Sequence, residues 1–119
     1  MTINKDKLLK LLSEHKAVDI VSFDLFNKSS LADAMIIASG NSSRHVLALS
    51  DYLLKYVKEL GVKNIQIEGA DSGEWVLIDI GDYLIHLFCA EAREFYDLDS
   101  LWSEITPKIV HIEDELNKG

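Results

Sequence analysis

Apolar and polar positions recur along this chain with two different periods, and the change from one to the other marks out its elements. Asn4 is placed to cap a first helix in which Leu8, Leu11 and Leu12 keep helical spacing before the polar end at His15 and Lys16. From Asp19 to Phe26, Val21, Phe23 and Leu25 alternate with Ser22 and Asp24, the period of a strand. NKSSLAD turns the chain, and the short β-branched run from Ala34 to Ser39 reads as an interior strand. Gly40 and Asn41 break it, and Ser42 or Ser43 caps a long helix. There Val46, Leu49, Leu53, Tyr56, Val57 and Leu60 hold one face as far as Gly61. NIQIEG predicts a brief strand, followed by a polar loop from Ala70 to Gly73.

EWVLIDI and YLIHLFC are separated by only Gly81 and Asp82, which predicts a tight hairpin with Gly81 at positive φ. That turn sets a register. Ile80 faces Tyr83, Ile78 faces Ile85 and Val76 faces Leu87 on a core side. Asp79 faces Leu84, Leu77 faces His86 and Trp75 faces Phe88 on the other side. The second side is an aromatic and aliphatic patch with polar members, to be covered by the chain's own helices or by a partner. Helix returns at Glu91, with Phe95, Leu98 and Trp102 on one face for packing and Tyr96 with Arg93 turned away from it. Tyr96, among Glu94, Asp97 and Arg93, is then the ring left over for an interface.

Helix, two strands, helix, three strands, helix implies an α/β (α+β) fold with a mixed five-stranded sheet and flanking helices, the long helix returning the chain for a parallel pairing. With 119 residues, 48% of them hydrophobic, the chain suits one domain over residues 1–103 and a tail or short helix over 104–119. No apolar run approaches the roughly 18 residues of a membrane span, and MTINKDKLLKLL is charged and helical in period, so a cytoplasmic protein is expected. A lone cysteine, Cys89, suits a reducing compartment. The net charge of -8 disfavours direct nucleic-acid binding and favours a basic protein partner.

Candidate chemistry thins out on inspection. His86 and Cys89 stand three apart on a strand and so point to opposite faces, which argues against a shared metal ion. His45 has no Cys or His one turn away. Ser42 and Ser43 near His45 serve as helix caps and lack the strained G-x-S-x-G turn of a nucleophile. GNSSRHVLALSDYL loosely has the form of a nucleotidyltransferase motif, but Asp51 has no second acid beside it to hold a pair of metal ions about 4 Å apart. Asp79 and Asp82 flank the hairpin turn without needing to converge. No catalytic residue, metal or cofactor is therefore expected.

SFDLFNKSSLADAMIIASGNSSRHVLALSDYL, LGVKNIQIEG, EWVLIDIGDYLIHLF and EAREFYDLDSLW, in this order and spacing, resemble the ribosomal silencing factor (Iojap-like) family from Asp19 to Trp102. Met35 and Ala34 stand where relatives often carry an aromatic pair. The resemblance implies a nucleotidyltransferase-like shape without the active site. It also implies docking on the large ribosomal subunit through ribosomal protein L-fourteen, where the bound factor sterically blocks the small subunit and represses translation under nutrient limitation. A role in large-subunit assembly is attributed to relatives. The docking candidates are Trp75, Leu77, Asp79, His86 and Phe88 on the hairpin, extended by Arg93, Glu94, Tyr96 and Asp97. A degenerate nucleotidyltransferase and a homodimer formed through the same sheet face are the alternatives.

Overall fold

Capping and turn chemistry place the elements of the computed structural model, which describes residues 3–26 and 32–111. The Asn4 side chain accepts from the backbone N–H of Asp6 and starts α1, Lys5–Glu14. Strands β1 (Val18–Asp24) and β2 (Ala34–Gly40) pair antiparallel, although most of the turn expected between them lies outside the described residues. Ser42 caps α2, Ser43–Glu59, by accepting from the backbone N–H of His45. Strands β3 (Gln66–Glu68), β4 (Trp75–Asp79) and β5 (Tyr83–Cys89) follow. The chain continues through α3 (Ala90–Tyr96), α4 (Leu98–Ser103) and β6 (Ile109–Val110).

One sheet runs β3-β4-β5-β2-β1-β6, with β2 and β5 parallel and the other pairs antiparallel. The long α2 supplies the return that the parallel pair requires. Hairpin register is as the Gly81 turn demands: Trp75 opposite Phe88, Leu77 opposite His86, Asp79 opposite Leu84, with Gly81 at φ 89°. The sheet has six strands rather than five because residues 109–110, read from the sequence as part of a tail or short helix, add to the β1 edge. His111 donates its backbone N–H to Ile20, and its Nε2 lies 2.8 Å from the Oγ of fully buried Ser22. The expectation for residues 112–119 lies outside the described residues.

Two apolar layers flank the sheet. On one side, Leu8, Leu9 and Leu12 of α1 and Val46, Leu49, Leu53 and Val57 of α2 pack on Ile36, Val76, Ile78, Ile85 and Leu87. The other side is smaller. Val21, Phe23, Met35, Ile37 and Phe88 are roofed there by Leu98 and Trp102 of α4 and Ala92 of α3. Asp19, at φ 51°, sits in the irregularity between Val18 and Val21, and beyond it Ile20 and Val21 enter opposite layers, as successive strand residues do. Among the described residues no helix is long and apolar enough to cross a membrane.

Candidate functional site: a half-open sheet face

Register places Glu68, Leu77, His86, Ile37, Val21 and Val110 in one row across all six strands. Because side chains alternate along each strand, this row shares one face with Trp75 and Phe88. The roof of α3 and α4 does not reach its whole length. Phe88 is 1% exposed and His86 7% exposed, whereas Trp75, Leu77 and Asp79 on β4 stay half-buried and Gln66 and Glu68 on β3 are exposed. The hairpin side, for which the sequence left the chain's own helices or a partner as the cover, is therefore sealed at His86 and Phe88 of β5 and open along β4 and β3. Phe88 and His86 support this face from beneath rather than present themselves to a partner.

His86 is held neutral: burial lowers its pKa from 6.5 to about 4. Its Nδ1 accepts the indole N–H of Trp75 at 2.9 Å, which leaves the proton on Nε2. Trp75 then stacks on Phe88 with ring centroids 5.0 Å apart and meets Tyr96 at 4.6 Å. Phe95 closes the series edge-on to Tyr96 at 5.1 Å. Asp79 is occupied at the hairpin turn, where its carboxylate accepts from the N–H of Gly81.

Phe95 was expected to pack inward and Tyr96 to be spare; the structure reverses the emphasis. Phe95 is 82% exposed, while Tyr96, 50% exposed, lies over Trp75 and Phe88. The cause is a break at Asp97, whose left-handed φ of 49° ends α3 and starts α4, so a single helical periodicity does not run from Phe95 to Trp102. Leu98 and Trp102 pack as expected.

Arg93 departs from its assigned role as well. Its guanidinium turns inward to bind Asp99 through Nε at 3.2 Å and Nη2 at 2.9 Å, and Nη1 donates to Ser39 Oγ and to the Asp19 carbonyl. This fork fastens the roof to β1 and β2. Burial acts to raise the Asp99 pKa, but the Arg93 hydrogen bond and charge outweigh it and hold the carboxyl below its ordinary value. Glu94 and Asp97 remain exposed near Tyr96.

Two grooves of about 330 Å³ each flank the rings, one lined by Glu68, Gly69, Trp75 and Leu77, the other by Glu74, Cys89, Glu91, Ala92, Phe95 and Tyr96. Both have acidic members on aromatic or aliphatic walls. Residues 2–118 match the family described as "Ribosomal silencing factor during starvation". The chain belongs to the ribosomal silencing factor family. It is 40% identical over 96 residues to ribosomal silencing factor RsfS of Haemophilus influenzae, covering 81% of this chain and 94% of that protein. It is 37% identical over 101 residues to mouse mitochondrial assembly of ribosomal large subunit protein 1, covering 82% of this chain and 44% of that protein. A crystal structure of a Chromobacterium violaceum protein superposes with a TM-score of 0.79 at 37% identity, covering 87% of this chain and 88% of that one.

Within this family member, the residues that suggested enzyme chemistry have structural positions. Asn41 donates its backbone N–H to Nδ1 of His45, whose Nε2 then donates to the His15 carbonyl at 2.8 Å, so the imidazole ties the α2 start to the α1 end. Asp51 lies exposed on α2. Among the described residues no three metal-ligating side chains converge. Sequence reasoning missed Phe95 as an exposed ring and Ser22 as a buried partner for His111. An Asp that also tolerates left-handed backbone was the available sign for the first, and a polar residue amid β1's apolar alternation for the second.

Proposed function

We propose that this protein binds the large ribosomal subunit through ribosomal protein L-fourteen and keeps the small subunit from joining, repressing translation under nutrient limitation. It acts as a wedge and not as a catalyst. The observation that carries the reading is the run of half-buried Trp75 and exposed Tyr96 and Phe95 beside Glu74, Glu91, Glu94 and Asp97. Large rings beside carboxylates suit a basic protein surface, with the rings as anchors and the charges steering approach. Family membership supports the ribosome as the place where such a surface is met.

The docking set accordingly centres on Trp75, Leu77 and Tyr96, with Phe95 added, Glu94 and Asp97 at the rim, and His86, Phe88 and Arg93 acting beneath. Co-sedimentation with purified large subunits tests this reading. The wild-type protein pellets with them and lowers their joining to small subunits. Trp75→Ala or Tyr96→Ala weakens both effects by about 2 kcal/mol, the usual cost of truncating a central anchor. Wild-type protein that ignores large subunits sinks the function. Folded variants that still block joining fully sink the surface. The mouse relative's name supports large-subunit assembly as a second reading, for which depletion leaves incomplete large subunits.

A further inference from the structure

A groove lies between the end of β3 and the indole, lined by Glu68, Gly69, Trp75 and Leu77. We infer that it receives an arginine of the docked ribosomal protein, with the guanidinium stacked on Trp75 and its charge met by Glu68. This inference rests on the docking reading above and names what one part of that surface takes.

Four observations lead to it. Glu68 pairs with Leu77 across β3 and β4, so its carboxylate stands on the open face at the rim of the groove, whose other walls are Trp75 and Leu77. The indole N–H is already spent on His86, and Phe88 and Tyr96 lie against the ring at 5.0 and 4.6 Å, so Trp75 meets the groove with the part of its π surface they leave uncovered and with no donor in need of an acceptor. Among the described residues the ion pairs are Lys5–Asp24 and Arg93–Asp99, and neither engages Glu68. A groove of about 330 Å³ admits one long side chain but not a helix, which is about 10 Å across.

The walls are also held at a fixed separation. Gly69 has φ 84°, and a Cβ there would lie 1.9 Å from the Trp75 carbonyl oxygen, so the chain after Glu68 lies flush against the start of β4. Arginine fits this arrangement better than lysine. A planar guanidinium stacks on an indole and bonds a carboxylate in its own plane at the same time, whereas an ammonium offers only a point charge.

Glu68→Gln and Trp75→Leu in the full chain test the inference, with binding to large subunits measured across a salt series. Glu68 is exposed, so Glu68→Gln leaves the fold unchanged by circular dichroism. It lowers affinity about tenfold at low salt and flattens the salt dependence. In the Trp75→Leu background the same change costs much less, because the cation no longer has its stacking plane. Independently of ribosomes, N-acetyl-arginine amide shifts the Trp75 indole NMR resonance, N-acetyl-citrulline amide does not, and Glu68→Gln removes the response. Glu68→Gln protein that binds subunits as wild type does at every salt concentration overturns the inference. Wild-type protein that answers to the arginine amide yet ignores large subunits overturns the docking reading, and with it the ribosomal source of the arginine, while the groove's preference stands.

Discussion

The indole N–H of Trp75 donates to Nδ1 of His86 at 2.9 Å, joining the open strand of the sheet face to the sealed one. His86 is thereby a positioning residue: it orients the ring that the proposed partner meets. His86→Leu keeps the apolar volume but leaves the half-buried indole N–H without its acceptor, at a cost of about 1–2 kcal/mol in urea unfolding. In Trp75→Phe protein, which has no N–H to satisfy, His86→Leu costs distinctly less. Equal costs in both backgrounds contradict the positioning role.

Acid sensitivity follows from the same imidazole. Unfolded, His86 titrates near 6.5; folded, near 4. Between these values only the unfolded chain takes up the proton, so stability falls as pH drops through this window, by up to about 3 kcal/mol. Asp99 has the opposite chemistry and the same consequence. Its folded pKa is depressed, so its contribution is present above the ordinary carboxylate range and is lost as pH falls through the folded value. Urea midpoints from pH 7.5 to 4 show this decline, and His86→Phe flattens the part above pH 4.5. A His86→Phe profile parallel to wild type contradicts the assignment.

Asp97 separates α3 from α4 through a left-handed backbone. Asp97→Gly is neutral or slightly stabilising, because glycine meets no Cβ penalty there. Asp97→Val costs about 1–2 kcal/mol and disturbs the placement of Phe95 and Tyr96. Thermal unfolding of both variants checks the contrast; similar destabilisation by the two removes the argument.

At the far edge of the sheet, Ser22 and His111 join β1 to the chain just beyond β6. Ser22→Ala deletes one hydrogen bond of a fully buried hydroxyl and costs about 1 kcal/mol. Ending the chain after Lys108 costs more, since it also strips β6 from the β1 edge and uncovers apolar surface. Hydrogen exchange shows the loss at β1 amides; unchanged protection there contradicts a structural role for β6.

Much of this architecture is legible in the sequence because short-range rules govern it. Asn4 and Ser42 cap where hydroxyl and amide chemistry predicts, and the Gly81–Asp82 turn fixes every pairing from Trp75–Phe88 to Asp79–Leu84. What escapes is decided at long range. Whether Phe88 is sealed depends on how α3 and α4 come to lie over the β5–β2 side of the sheet. Ile109 and Val110 become a strand only because β1 has an edge to offer, and Arg93 turns inward because Asp99, Ser39 and the Asp19 carbonyl converge on it. Within the candidate site, strand alternation identifies the face but not the fraction of it left open, and helical periodicity misplaces Phe95 because one backbone conformation at Asp97 resets it.

Hydroxyl-radical footprinting of the protein with and without large ribosomal subunits tests the central claim most directly, since it reads each ring separately. Trp75, Phe95 and Tyr96 become protected together when subunits are added, while Phe26 and Leu101, exposed elsewhere, keep their reactivity. Protein that binds subunits with Trp75, Phe95 and Tyr96 as reactive as in the free state places the docking surface on another face.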